Sequence, residues 1–312
     1  MAEAEAISHL EVLEEFAPRR QRGLWSDALF RLIRNRMAMV AMAVLALIAT
    51  LALLGNNVDA VRRYDPAAQI YDANVLLKGP SGDHFFGTDI LGRDNWSRVL
   101  QGTLISLQVG FGVQAIVLVI GLLVGGTAAL GGRALDNIMM RFTDLAYAFP
   151  DLLFIILLRA ALQGRDWPIL GQPVPQLIFA IAFVAWVTIA RLVRGQMLSL
   201  KERDFVLAAR AMGASQMRIV VQHMLPNTLG PVTVAVVFGI PLAIFAEAVL
   251  GFIGFGVPPP TASLGRLVSD GYSFIRVNVW LVIFPAGTIA LLMLCFTFIG
   301  DGLRDALDPR GR

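Results

Sequence analysis

The chain has 312 residues, of which 56% are hydrophobic and only 16% are charged, and its mean hydropathy is +0.67. A soluble domain carries roughly 25% charged residues, so this excess of apolar side chains excludes an ordinary soluble protein and indicates contact with lipid. The net charge is a modest +3, with arginines in short scattered clusters, and Cys295 is the single cysteine. A nucleic-acid partner, an internal disulfide and a multi-cysteine zinc site are therefore excluded.

Six apolar stretches predict an all-α polytopic membrane protein with six transmembrane helices. A transmembrane helix needs about 20 mostly apolar residues. The stretches of about this length are 37–55, 110–130, 139–162, 177–192, 229–253 and 279–299. The first begins too far along the chain for a cleaved secretory signal, so we expect it to be a retained anchor.

The distribution of arginine and lysine predicts the orientation of these spans. Six spans place both termini on one side, and seventeen of the basic residues then fall on that side against nine on the other. Because basic residues accumulate on the cytoplasmic side, both termini are predicted to be cytoplasmic. The predicted parts are a cytoplasmic segment (1–36), a first helix (37–55), an external loop (56–104), a five-helix core (105–303) with a cytoplasmic loop at 199–227, and a cytoplasmic tail (304–312).

The segment LWSDALFRLIRNR, residues 24–36, predicts a helix that lies along the inner membrane face. Its apolar residues Trp25, Leu29, Leu32 and Ile33 share one helical stripe, and arginines stand beside the stripe. Such a pattern is typical of interfacial helices that bind lipid.

The external loop carries a cluster of acids and turn residues before the second span. Asp83, His84, Asp89 and Asp94 could be imagined as a metal site, but structural roles are the better interpretation. Asp94 stands where a helix N-cap is wanted, two glycines mark turns, and an arginine can pair with a neighbouring acid. The residues expected to shape an external gate are Gly87, Thr88, Asp89, Gly92, Arg93 and Asp94.

Within the spans, small and polar residues each allow two interpretations. Gly121, Gly125 and Gly126 predict close helix packing rather than a gating hinge. Arg141 and Asp144 stand three apart and can pair on one helix face. Pro241 and Pro285 can kink their helices, as hinges or simply as part of the bundle's shape.

Glu247 is the ionisable residue of interest in the fifth span, because FAEAVLGFIG is otherwise apolar. Ionisable groups at membrane depth are candidates for function. Two roles stay open for it: a place on the translocation path, or a hydrogen bond within the bundle.

Between the fourth and fifth spans, DFVLAARAMGASQMRIVVQHMLPN predicts a pair of short helices. Ser199 and Glu202 have the spacing of a capping box, and Phe205, Val206, Ala209 and Met212 recur at helical spacing. Gly213 is predicted to end the first helix, Ser215 to cap the second and Pro226 to end it. The alanines at 208 and 209 would let another protein approach closely. The alternative is an amphipathic loop that lies on the membrane.

This loop resembles the "EAA" loop of ABC-importer permeases. The matching residues are Ala208 and Ala209, Gly213 four positions later, and the stretch from His223 to Pro226, whereas Leu207 stands in place of the motif's opening glutamate. The resemblance implies that the loop docks on a cytoplasmic ATPase. The residues it assigns to this coupling are Phe205, Leu207, Ala208, Ala209, Met212, Gly213, Leu225 and Pro226.

Three more stretches resemble the dipeptide/oligopeptide/nickel branch of these permeases, and in particular the second of its two unlike permeases. They are HFFGTDILGRDNWSRVLQGTLISLQVG, LGFIGFGVPPPTASLG and IGDGLRDALDPR, and the segment LWSDALFRLIRNR belongs to the same resemblance. The resemblance implies a type I ABC-importer permease fold with a coupling helix. Its implied partners are a homologous permease, two ATPases and an external substrate-binding protein. Its implied substrates are di- or oligopeptides, with nickel or another small peptide-like solute as the alternative.

Missing motifs support a transport subunit rather than an enzyme. The two lysines, Lys78 and Lys201, both follow leucine, so the chain has no P-loop, and it has no HExxH or GxSxG. ATP and Mg²⁺ are therefore expected on partner ATPases, and no cofactor is expected on this chain. A stand-alone secondary transporter is the competing interpretation, but no inverted repeat is visible.

Overall fold

The structure is a computed structural model that describes residues 24–308 apart from 163, 165 and 166. Every named element among these residues is helical. The helices are α1 (Leu24–Arg34), α2 (Arg36–Asn57), α3 (Asp59–Arg62), α4 (Asn95–Leu130), α5 (Gly132–Tyr147), α6 (Asp151–Leu162), α7 (Pro173–Lys201), α8 (Asp204–Ala211), α9 (Gln216–Ile219), α10 (Leu225–Phe252), α11 (Leu264–Tyr272) and α12 (Trp280–Leu307), with a π-helical turn at Val220–Met224. Six of the basic residues that were counted to predict the orientation lie outside the described residues: Arg19, Arg20, Arg22, Arg165, Arg310 and Arg312.

Five helices of the described chain are long and apolar enough to cross a membrane, and a sixth crossing results if one bent pair counts as a single span. That pair is α5 and α6, which meet at 87°. The predicted span at 139–162 is broken at this bend, and it is one crossing only if the two helices are counted together. Pro150 lies in the break, where its missing N–H and its ring disfavour a continuous helix.

The second predicted span begins much earlier than Gly110. Helix α4 starts at Asn95 because Asp94 is its N-cap: the Asp94 carboxylate accepts a hydrogen bond from the Ser97 N–H at 2.8 Å. This confirms the predicted cap. At about 1.5 Å per residue, the 36-residue helix is longer than a bilayer core of about 30 Å.

Helices α4 and α7 form the centre of the main core. Gly121 and Gly125 let them approach closely, since a Cβ on Gly125 would lie 2.3 Å from the Ala190 carbonyl oxygen and one on Gly121 would lie 2.5 Å from Ile189 Cγ2. The predicted close packing is confirmed for these two glycines. It is wrong for Gly126, where the nearest atom, Met197 Sδ, would be 3.7 Å away.

Two ion pairs hold α5 along α7. Arg194 donates two hydrogen bonds to Asp136, at 2.5 and 2.6 Å, and Arg191 donates one to Asp144 at 2.7 Å. The predicted pairing of Asp144 with Arg141 is therefore wrong, because α5 turns Asp144 toward the neighbouring helix.

The remaining helices complete the bundle. The side chains of Trp25, Leu29 and Ile33 on α1 are half exposed, as a lipid-facing stripe requires, while Leu32 lies against α12. Asn35 caps α2 by accepting from the N–H groups of Met37 and Ala38 at 3.1 and 3.2 Å. The prolines predicted to kink α10 and α12, Pro241 and Pro285, lie inside these helices.

Candidate coupling loop, external gate and membrane groove

The loop between α7 and α10 contains the predicted helix pair, with two corrections. Helix α7 continues through Ser199 to Lys201, since Met197 is still buried in the core, so the predicted capping box does not start a helix. Pro226 lies in the first turn of α10 instead of ending a helix. A π turn precedes it, and the first turn of a helix tolerates proline because its N–H is not needed there.

The turn between the two short helices follows the prediction. Gly213 has φ +82°, the left-handed conformation that ends many helices. The Ser215 hydroxyl accepts from the Arg218 N–H at 3.4 Å and so caps α9. Both predicted roles are confirmed.

Helix α8 has two distinct faces. Val206 and Ala209 are buried in the core that also contains Ile219 and Met224. Phe205, Leu207 and Met212 are 43%, 47% and 82% exposed, and Ala208 is exposed beside them. We call this second side the outer face of α8, defined by the four residues Phe205, Leu207, Ala208 and Met212.

The two alanines of the motif therefore have different environments. On the outer face, the small side chain of Ala208 leaves the helix backbone accessible to a partner. The expectation that Ala209 does the same is wrong, because its side chain points into the bundle. Of the other predicted coupling residues, Gly213 and Pro226 are exposed and Leu225 is half-buried. Arg203, Arg210 and Arg218 flank the outer face along the chain, and none forms an ion pair with another described residue.

The external residues form one connected network. Asp89 accepts from the backbone N–H groups of Leu91 and Arg93 at 2.9 and 3.0 Å, and from Arg93 Nε at 2.7 Å. Arg98 also binds Asp89. This confirms that Arg93 pairs with a neighbouring acid. Three arginines then approach Asp270 of α11 at 3.5–3.9 Å: Arg93, Arg98 and Arg266.

Two glycines allow the external loop to fold this tightly. Gly87 and Gly92 have φ of +74° and +68°, and a Cβ on either would lie within 2.3 Å of a backbone carbonyl oxygen. The predicted turns are confirmed. Thr88 joins the same loop, since its hydroxyl donates to the Val75 carbonyl and accepts from the Lys78 N–H.

The residues considered for a metal site make other contacts. His84 Nδ1 lies 2.9 Å from Asp94 Oδ1, and Asp94 also caps α4. Across the part of the chain that the structure describes, no three His, Cys, Asp or Glu side chains are grouped to hold a metal ion.

Glu247 is fully buried between α4 and α10. Its Oε2 accepts from the Ser106 hydroxyl at 2.7 Å, and its Oε1 has no hydrogen-bond partner among the described residues. Of the two roles left open by the sequence, the geometry shows the hydrogen bond within the bundle. A place on the translocation path stays a prediction.

An open groove of about 470 Å³ is bounded by α4, α6, α7 and α10. Most of its lining is apolar. The exceptions are Gln114, Asp151 and Thr188. The sequence did not predict this groove, because residues from four helices that are distant in the chain form it. The visible signal was Asp151, an acidic residue at the start of the apolar run DLLFIILL. We call this surface the membrane groove.

These features define a class of protein. A bundle of membrane-length helices with a short two-faced helix in the loop between two of them is the architecture of a transport permease subunit. The same fold occurs in a solved structure of the MetNI methionine ABC transporter in an inward-facing conformation. That comparison has a TM-score of 0.57 with 21% sequence identity, and it covers 68% of this chain and 96% of the other.

The chain belongs to the family of binding-protein-dependent transport system inner membrane components, whose family model matches residues 117–312. A second model, the N-terminal TM domain of oligopeptide transport permease C, matches residues 23–80. The resemblance seen in the sequence and the predicted permease fold are thereby confirmed. The protein is a transport subunit of an ABC importer in the inner membrane, and it is not catalytic.

Curated relatives cover nearly the whole chain. The oligopeptide transport system permease protein OppC of Bacillus subtilis is 40% identical over 93% of this chain and 90% of its own length. OppC of Escherichia coli K12 is 39% identical over 97% of both chains. The dipeptide transport system permease protein DppC of Bacillus subtilis is 38% identical over 92% of this chain and 86% of its own length.

Proposed function

We propose that this subunit imports di- or oligopeptides and forms half of the translocation path. Support comes from the oligopeptide and dipeptide permeases that are 38–40% identical to it over more than nine-tenths of the chain. Nickel or another small peptide-like solute is the alternative cargo. Competition for uptake between peptides and nickel distinguishes the two.

The proposed assembly has four kinds of partner. A second, homologous permease completes the path, two cytoplasmic ATPases bind ATP and Mg²⁺, and an external binding protein delivers the substrate. Both termini and the loop at 199–227 lie in the cytoplasm, as the seventeen-to-nine distribution of basic residues indicates. Membrane lipid contacts α1 and the outer surface of the bundle.

The two faces of α8 carry the coupling mechanism. The outer face docks on an ATPase, and the small exposed side chain of Ala208 allows the partner to approach the helix backbone closely. Val206 and Ala209 on the other face are packed into the same core as Ile219 and Met224, which precede α10. Because packed interiors transmit displacement, closure of the ATPases around ATP moves α8 and, through this core, reorients the membrane helices.

Cysteine cross-linking tests the orientation and the docking together. In a Cys295→Ala background, Ala208→Cys places a thiol on the outer face, and Ala67→Cys places one on the exposed external loop as a matched control. In the intact complex, Ala208→Cys should cross-link to an ATPase, while an impermeant thiol reagent added outside should label only Ala67→Cys. Labelling of Ala208→Cys from outside would overturn the proposal.

A functional measurement accompanies the cross-linking. Ala208→Trp should abolish ATP-driven uptake in proteoliposomes while the chain still assembles with the second permease, because a bulky side chain blocks close approach at the outer face. Uptake at the wild-type rate would show that the ATPase does not dock there.

A further inference from the structure

The membrane groove lies at mid-depth in the bundle. Gln114, Thr188 and Gly239 line it, and each stands near the middle of its long membrane helix, α4, α7 or α10. Asp151 lines the same groove and is the first residue of α6, directly after the 87° break. The broken span therefore brings a carboxylate to the groove formed at the midpoints of these three helices.

This carboxylate differs from its neighbours on the broken span in lacking a partner. Asp136 and Asp144 are each paired with an arginine of α7. Asp151 is exposed and lines the groove, and its carboxylate makes no hydrogen bond or ion pair with any described residue. No Lys, Arg or His side chain is among the described residues that line the groove.

A helix-stabilising role accounts for only part of this placement. An acid in the first turn of a helix interacts favourably with the helix dipole, by about 0.3–1 kcal/mol. A charge at the membrane centre costs more than this, and such residues pair with another charge or line a water-filled cavity that an ion or substrate uses. Broken helices at mid-depth are where transporters hold charged substrate groups.

The remainder of the groove fits a small peptide. Its volume of about 470 Å³ is within the range of about 300–1,000 Å³ typical of small-molecule sites. The apolar walls suit peptide side chains. Gln114 is buried over Gly239, where a Cβ would come within 2.5 Å of its Oε1, so the glycine leaves room for an amide that can bind a peptide backbone.

We propose that Asp151 is the cation subsite of the membrane groove and binds the α-ammonium group of the peptide during translocation. This rests on the proposed peptide-import function. Asp151 acts as a specificity-determining residue that selects peptides with a free amino terminus, and Gln114 and Thr188 bind uncharged polar groups of the same peptide.

Transport by the complete complex in proteoliposomes provides the first test, with radiolabelled trialanine and the same wild-type binding protein throughout. Asp151→Asn removes the charge with little change of shape, and Asp151→Glu keeps it. Losing a charge-assisted hydrogen bond should lower trialanine import about tenfold or more. Asp151→Glu should stay within about threefold of wild type by the same reasoning. Asp305→Asn is the matched control, since Asp305 is exposed at the far end of α12.

Direct binding provides a readout that a purely structural role would not change. Equilibrium dialysis with radiolabelled trialanine, and competition by N-acetyl-trialanine, measures peptide binding to the purified complex without the binding protein. Trialanine should bind more tightly than N-acetyl-trialanine, and Asp151→Asn should abolish this preference. Retained ATP hydrolysis in Asp151→Asn will show that the complex is intact.

The failures are distinguishable. If the wild-type complex does not import trialanine, the proposed peptide function is overturned and this inference with it. If the wild type imports it but Asp151→Asn imports equally well with an unchanged preference for the free amine, only the cation subsite is overturned. Cross-linking of Asp151→Cys to a basic residue of the second permease in every state would also overturn it, because a subunit would then occupy the site.

Discussion

Replacing Gly125 with alanine tests how tightly α4 and α7 are packed. The new Cβ would lie 2.3 Å from the Ala190 carbonyl oxygen and 2.8 Å from Val193 Cβ. Ordinary contacts between heavy atoms are about 3.5 Å or longer, so the two backbones would have to separate by roughly 1 Å. The adjacent Gly126→Ala is the matched control, because its nearest contact would be 3.7 Å away.

The comparison of these variants isolates the packing energy. Both gain about 1 kcal/mol of helix propensity from the loss of glycine, and this gain cancels in the difference. Overpacking costs about 1–3 kcal/mol, and membrane helices depend on such close contacts because lipid provides no hydrophobic driving force between them. Gly125→Ala should therefore be about 1–3 kcal/mol less stable than Gly126→Ala.

The assay is unfolding of the purified complex, by heat in nanodiscs and by SDS titration in mixed micelles, followed by tryptophan fluorescence. Gly125→Ala should have the lower midpoint in both titrations. A midpoint for Gly125→Ala equal to or above that of Gly126→Ala would refute the inference that this glycine sets the separation of α4 and α7.

Two further predictions concern buried polar contacts. Ser106→Ala removes the hydroxyl that donates to Glu247 at 2.7 Å, and since both groups are fully buried it should cost about 1–3 kcal/mol. Thr127→Ala on the exposed side of the same helix should cost less than about 0.5 kcal/mol in the same unfolding assay, and equal losses would contradict the prediction. Asp94→Ala removes the cap of α4 and should lower stability by about 1–2 kcal/mol, whereas Asp94→Asn should retain most of it, because asparagine also accepts from the Ser97 N–H. Identical melting of the alanine and asparagine variants would show that the cap contributes nothing.

The coupling loop shows how far local patterns extend. Gly213 and Ser215 were correctly predicted because a left-handed turn and an N-cap depend on residues within one helical turn. The predicted start at Ser199 and stop at Pro226 were wrong for the opposite reason. Tertiary packing extends α7 beyond Ser199 to Lys201. A π turn precedes Pro226, and the helical chain continues through this proline into α10.

Residue chemistry in the primary structure was sufficient for the membrane class, the permease family, the caps at Asp94 and Ser215 and the turns at Gly87, Gly92 and Gly213, since each of these depends on composition or on neighbours a few positions apart. Packing between distant segments was needed for the partner of Asp144, the inward orientation of Ala209 and the groove in which Asp151 stands. Each of these depends on which helices are adjacent in space. In a bundle whose helices are apolar on nearly every side, no pattern along the chain identifies the neighbour that a given side chain will meet.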